Sequence, residues 1–347
     1  MVLAVAVATF AGLAASSHGF PVEHVSLNDG SIWVTNDADG AIARFDDPIG
    51  QLDGQSLSHA SGPADVNVWQ DGSDVADYDA TGGRMYAVNS YTPAFYDGGQ
   101  KVLPKSASQE SGQDDIALGD TTLAVLSSDG SLRTAQLSAG GGSLSALGQP
   151  IARHLPANSA VAVGSDDTIW VAGGGKLSGY PQGGGAPRVS AIPLSVSDPM
   201  QVTTVGSVPV VADPTTRVLY LPGNGQTVPL PSGGSASTEF ELQQPSAASD
   251  VVVVATGQAL YSITLSSGAL TTLRSGLNGI PSAPVQVAGC VHAAWADGTA
   301  GIYVRTCGSP PPACGPAGRT TAQPQGVMAT CASATIRSTP YDRAALA

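Results

Sequence analysis

Residues 27–45 read LNDGSIWVTNDADGAIARF, and this string carries the unit from which the rest of the chain is built. Ile32–Asn36 and Ala41–Phe45 are short apolar runs of strand-forming residues, and each follows an Asp-Gly pair, Asp29-Gly30 and Asp39-Gly40. Asp and Gly tolerate the left-handed backbone that tight hairpins need, so the string predicts successive antiparallel strands rather than a helix. With His24–Leu27 in front it makes a first unit of three strands, and Trp33 is placed to pack between units.

The same texture returns along the chain. A second unit covers Asp65–Trp69, Val75–Tyr78 and Met85–Val88, and a third Ile116–Leu118, Thr122–Leu126 and Leu132–Leu137. The fourth has Ala160–Val163, Ile169–Ala172 and Leu177–Tyr180, and the fifth Gln201–Val205, Val208–Ala212 and Arg217–Leu221. Val251–Ala255 with Ala259–Thr264 form the sixth, and Val285–Val287, Val291–Ala296 and Ile302–Val304 the seventh. Aligning Ile32, Val75, Leu123, Ile169, Val208, Val251 and Val291 gives steps of 43, 48, 46, 39, 43 and 40 residues. That period is the size of one blade of a β-propeller, in which a small sheet that cannot bury both faces alone stacks against its neighbours around an axis. The fold expected is therefore all-β, a propeller over residues 21–308 with seven blades, six and eight being the neighbouring counts. The rival, tandem immunoglobulin-like sandwiches, groups strands by about 100 residues and does not fit this period. Ala160–Val163 and Val251–Ala255 lack long polar side chains and suit strands buried on both faces, while Gly140–Gly142, Gly173–Gly175 and Gly183–Gly185 read as loops.

Composition agrees. The chain has 347 residues with 43 Gly, 25 Pro and only 12% charged residues, so turn-formers interrupt any long helical run. A hydrophobic fraction of 42% and the absence of a strict Gly-X-Y period exclude disorder throughout and collagen. The net charge of -13 lies in the first third: up to residue 120 there are 17 Asp and Glu against 4 Lys and Arg, and afterwards 10 against 10. One acidic sector and no basic cluster argue against nucleic acid and anionic membrane surfaces as partners.

Residues 1–16, MVLAVAVATFAGLAAS, carry no charged side chain, and the apolar run Val2–Ala15 is about the length of a signal-peptide core, short of a bilayer span. Residues 1–20 are therefore expected to be a signal peptide or membrane anchor, and the chain exported, either anchored facing outward or secreted. The missing basic flank points to an upstream start or an uncleaved anchor. Cysteine usage fits an oxidising compartment: Cys290 and Cys307 flank two strand-like runs that a hairpin brings together as a disulfide, and none of the four cysteines forms a C-x-x-C pair for metal. From residue 309 the apolar alternation stops. Pro310–Pro312 open a Pro/Ala/Thr-rich tail over 309–347 that reads as disordered linker or as translation in a shifted frame.

Two stretches carry a resemblance. Leu27–Phe45 is similar to repeats of PQQ-type and streptogramin-lyase-like propellers, and more closely resembles the opening of the propeller in large actinobacterial surface proteins that contain fibronectin type III domains. PVQVAGCVHAAWADGTAGIYVRTCG, Pro284–Gly308, resembles the later part of that propeller, with Cys290, Trp295 and Cys307 at matching places. Over about residues 1–308 the resemblance implies a membrane anchor followed by a propeller. The chain ends before any fibronectin domain, so whatever those domains bind does not carry over.

Candidate chemistry is sparse. His18, His24, His59, His154 and His292 match no lyase motif, and His154 and His292 read as ordinary surface or core residues. Asp37 and Asp39, and the cluster Asp71, Asp74, Asp77 and Asp79, offer hard oxygen ligands at loop positions, weak candidates for Ca²⁺ because Asp is equally favoured in turns and no twelve-residue hand is present. No G-x-S-x-G, phosphate loop or dinucleotide fingerprint occurs, and Glu23, Glu110, Glu239 and Glu241, all read as loop residues, make no recognisable glycosidase pair. No cofactor and no catalytic residue is expected. The function expected is a non-catalytic, extracytoplasmic propeller that binds a protein or glycan at the cell surface. The alternative is a propeller enzyme, a lyase or a glycosidase acting on cell-wall or extracellular polysaccharide.

Overall fold

The computed structural model describes residues 32–36, 40–46, 51–58, 66–71, 74–79, 81–90, 94–95, 99–101, 115–138, 143–231, 239–287, 289–296 and 301–307. These form seven small antiparallel sheets in chain order, a seven-bladed β-propeller. Blade 1 holds β1 (Ile32–Asn36), β2 (Ala41–Asp46) and β3 (Gln51–Ser58). Blade 2 holds β4 (Val66–Asp71), β5 (Asp74–Asp79) and β6 (Arg84–Asn89), with the short β7 (Ala94–Phe95) and β8 (Gln100–Lys101) both on β6. Blade 3 consists of β9 (Asp115–Leu118), β10 (Thr122–Leu126) and β11 (Leu132–Gln136). Blade 4 runs β12 (Ala160–Val163), β13 (Ile169–Gly173), β14 (Lys176–Tyr180), β15 (Arg188–Ala191), and blade 5 runs β16 (Gln201–Val205), β17 (Val208–Asp213), β18 (Val218–Leu221), β19 (Gln226–Pro229). Blade 6 is β20 (Phe240–Leu242), β21 (Val251–Thr256), β22 (Ala259–Thr264) and β23 (Leu270–Ser275). In blade 7, β24 (Ile280–Pro281) and β25 (Val285–Val287) share one edge of β26 (Cys290–Ala296), whose other edge pairs β27 (Gly301–Cys307).

The seven aligned positions each fall in a different blade, six of them in the second strand. The strands of the fifth unit match β16, β17 and β18 to within a residue. His24–Leu27, residues 1–20 and the segment 309–347 lie outside the described residues. In blade 3 the outer edge of β11 is covered by an irregular run: Leu132 N donates to Ala152 O at 3.1 Å, Ile151 N to Leu132 O at 2.8 Å, and Gly148 N to Thr134 O at 2.8 Å. Blades 1 and 7 are neighbours, since Phe45 on β2 and Tyr303 on β27 meet edge to face with centroids 5.7 Å apart.

Apolar residues between adjacent blades form the core. One cluster joins Val205, Val210, Ala212 and Leu219 of blade 5 to Phe240, Leu242, Val252 and Val254 of blade 6, and another joins Trp33, Ile42 and Leu57 of blade 1 to Val66, Val75 and Val88 of blade 2. Trp33 thus packs between blades, as its place in the repeat predicts. β12 is buried along its whole length, as expected of an inner strand. Val251–Ala255 is nearly as buried but is the second strand of its blade, the inner place being taken by Phe240–Leu242. The β13–β14 hairpin turns on Gly174 and Gly175 with φ of 58° and 72°, the pair of left-handed residues that a two-residue hairpin demands.

Candidate functional site

Where a propeller's inner strands stand side by side, backbone groups on their free edges need partners. Here side chains from the neighbouring blade supply them. Gln70 Oε1 on β4 accepts from Trp33 N of blade 1 at 3.3 Å, and Asp115 Oδ2 on β9 accepts from Val161 N of blade 4 at 2.8 Å. Gln201 on β16 forms a two-point clamp on blade 6: its Oε1 accepts from Leu242 N at 2.8 Å and its Nε2 donates to Phe240 O at 3.1 Å. Gln286 on β25 donates through Nε2 to Val251 O at 3.1 Å and to Gln243 Oε1 of the same blade 6. Backbone bonds between loops continue the pattern, with Ser165 N donating to Gly206 O at 3.0 Å and Gly206 N to Ser246 O at 2.8 Å.

The titratable side chains fall into this framework. Burial between blades pushes the Asp115 carboxyl up to about 6, against the opposing pull of the Val161 N–H, and pushes Glu241, on β20 beside Gln201 Nε2, up to about 7. Glu241 is thus an inner-strand residue, not a loop residue, and Glu239 lies just ahead of the same strand. Glu23 and Glu110 lie outside the described residues. Both raised carboxyls take up protons more readily in the folded than in the unfolded chain, whose carboxyls titrate near 4, so their contribution to stability is fully present below about pH 4 and is lost as pH rises through about 6 to 7. Asp115→Asn, which keeps an oxygen for Val161 N, is expected to flatten this dependence. The difference in urea unfolding free energy between pH 5 and pH 8 should shrink by on the order of 1–2 kcal/mol, and an unchanged difference would remove Asp115 from the explanation.

Of the Ca²⁺ candidates, Asp37 and Asp39 lie outside the described residues. The other four sit on strands rather than in loops: Asp71 ends β4 opposite Asp74, which begins β5, and Asp77 and Asp79 follow within β5. Asp77 is fully buried, and Asp79 Oδ1 accepts from Gly82 N at 2.9 Å, closing the turn into β6. The strand itself is expected from the sequence, since Val75–Tyr78 already contains Asp77; Asp71, Asp74 and Asp79 at its flanks read as loop because Asp is favoured in turns. Among the described residues no three His, Cys, Asp or Glu side chains are grouped to hold a metal ion. His18, His24 and His59 lie outside the described residues, His154 is exposed, and His292 is buried on β26 with Nδ1 against the Tyr303 hydroxyl. Cys290 and Cys307, directly opposed on β26 and β27, are joined as a disulfide across a sequence separation of 17.

One surface site stands out that the sequence reading did not single out. Between the outer halves of blades 4 and 5 an open, mainly apolar groove of about 330 Å³ is lined by Trp170, Leu177, Arg188–Ser190 and, across the gap, Ser207–Pro209 with Pro222 and Gly223. Register explains it. Trp170, Gly179 and Arg188 lie opposite one another on β13, β14 and β15, in a row across the sheet face that looks toward blade 5. A Cβ on Gly179 would stand 2.8 Å from the Trp170 ring, so the glycine lets the indole lie flat on the sheet and run outward. Nearer the axis this face is closed by Val211 and Tyr220. Farther out the blades diverge, leaving the Trp170 ring and Pro222 half-buried at the groove and Arg188 exposed as the only charged residue among its described lining. The exposed Val189 and Val208 sit at its rim, their side chains alternating to the opposite faces of their sheets. A sequence signal existed, since Ile-Trp-Val at 169–171 repeats Ile-Trp-Val at 32–34, but nothing local says that Trp33 is buried and Trp170 only half-buried.

No family model matches the chain, and no curated protein matches it. Solved structures do. The chain is similar to the structure of U3-55K, with a TM-score of 0.54, 12% identity and coverage of 78% of this chain and 86% of that one. It is similar to the Cps50 (Swd1) β-propeller domain of Myceliophteria thermophila at 0.51, 12%, 79% and 95%, and to apo AztD of Citrobacter koseri at 0.51, 12%, 79% and 92%. At these identities the likeness is one of fold, a ring of blades, and the class of protein so defined is the β-propeller, a fold that can be a binding or scaffold module and does not by itself fix a function.

Proposed function

We propose that the chain is a non-catalytic binding module that works outside the cytoplasm, at the cell surface, as the propeller part of a protein of the fibronectin type III-containing surface type. One observation carries the binding reading: the polar side chains named on the inner strands are engaged in tying blade to blade, while the groove between blades 4 and 5 leaves apolar side chains open to solvent. Exposed apolar surface framed by a few polar groups is what a binding surface looks like. The Cys290–Cys307 disulfide and the apolar segment at residues 1–16 support an oxidising, extracytoplasmic location. The partner is a protein or glycan of that surface.

Two measurements test this. Protease added to intact actinobacterial cells expressing the tagged chain should digest it while a cytoplasmic marker survives; protection until lysis would refute surface exposure. Purified protein should co-sediment with isolated cell envelopes of the same cells, and full recovery in the supernatant would refute binding there.

A further inference from the structure

We propose that the free edge of β15 and the adjoining groove accept an extended peptide strand of a partner protein, with an apolar side chain in the groove and an acidic one at Arg188. This rests on the binding-module reading and names the partner's chemistry.

The backbone comes first. All four residues of β15 are exposed, and among the described residues only β14 pairs with the strand. Ile192 N donates to Gly175 O at 3.0 Å, and Ser190 lies opposite Leu177. Antiparallel alternation therefore turns the N–H and C=O of Arg188 and Ser190 toward β14, and those of Val189 and Ala191 outward. Two donors and two acceptors on that outer edge suit the main chain of an incoming strand.

The side chains come next. Residues 188 and 190 face the same way as Leu177, Gly179 and Trp170, toward blade 5. A strand added beyond β15 would send every second side chain into the gap facing Pro209 and Pro222. An apolar residue suits that place. The neighbouring inward position lies beside Arg188, and among the described residues no acid lines the groove to compensate the guanidinium. Charge complementarity therefore selects a carboxylate. The acidic excess of the molecule lies before residue 121, so it does not set this site's preference. A second β15 edge, from another copy of the chain, would bring arginines and no carboxylate.

The test uses the purified full-length chain, so failure of export or of envelope binding does not affect it. The probe is a fluorescein-labelled octapeptide of alternating threonine and valine with one central glutamate, read by anisotropy and by the emission of Trp170, with Trp170→Phe identifying that signal. Replacing the peptide's glutamate by lysine should weaken binding on the order of tenfold or more, and Arg188→Glu should reverse that order. Methylating alternate peptide nitrogens, or Ala191→Pro in the protein, should weaken binding by a similar factor. The methylated peptide keeps the test decisive if Ala191→Pro does not fold. Equal binding of the methylated peptide would overturn strand addition, as would the absence of saturable binding by the glutamate peptide. Tighter binding of oligogalacturonate at the same site would replace the peptide with a glycan. A dimer in light scattering that Ala191→Pro dissolves would assign the edge to a second copy of the chain.

Discussion

Trp295→Ala is expected to be the most damaging single substitution in the ring, costing about 3–5 kcal/mol in urea unfolding. Trp295 on β26 is 1% exposed and packs with Val253, Ala255 and Leu260 of blade 6, while its indole Nε1 donates to Thr256 O at 2.8 Å across a sequence separation of 39. Truncation therefore opens a cavity at the blade 6–blade 7 seam and leaves a buried carbonyl without its partner, two costs that add. Trp295→Phe separates them, keeping most of the volume, with an expected loss of about 1–2 kcal/mol. If the alanine variant unfolds within about 1 kcal/mol of the wild type, the seam is not held by this residue and the two blades separate independently.

Removing the Cys290–Cys307 disulfide should cost about 3 kcal/mol, the loop-closure value for a bridge spanning 17 residues. The bridge joins the two ends of the β26–β27 hairpin, and β27 carries Tyr303, which meets Phe45 of the first blade. Loss of the bridge therefore loosens the hairpin by which the last described blade touches the first. Reduction of the wild type and the Cys290→Ser/Cys307→Ser double variant should show the same lowered unfolding midpoint, and the variant should not respond further to reductant. A midpoint unmoved by reduction, with free thiols verified by alkylation, would mean that packing alone holds the hairpin.

The fold was readable because a propeller repeats its buried strands. β10, β12, β17 and β21 are short apolar runs set off by turn residues, and their spacing survives every local irregularity. The outer strands were not readable. β15, β19 and β23 are largely exposed, so no pattern of buried side chains separates Arg188–Ala191 or Leu270–Ser275 from loop, and only hydrogen bonding to a neighbour makes them strands. β20 was missed for another reason: Phe240–Leu242 is three residues long and contains Glu241, whose place beside the axis rests on Gln201 of the preceding blade. The groove was illegible for a related reason. Its walls come from two blades, and what makes it a groove is the gap between their outer strands beside Trp170, a property of neither local sequence.

Trp33 and Trp170 follow the same isoleucine and precede the same valine in two copies of one unit. Copying has an evolutionary consequence that reaches beyond packing. Each blade is gripped from two sides, so a seam can open at its outer end beside one tryptophan without the ring coming apart, and the half-exposed residue becomes raw material for recognition. Trp33 is buried between blades 1 and 2, while Trp170 is half-buried, packed against the blade 4–5 core on one side and bordering the groove on the other. In a ring of near-duplicates a new binding surface can arise by subtraction, from a residue already present for another purpose.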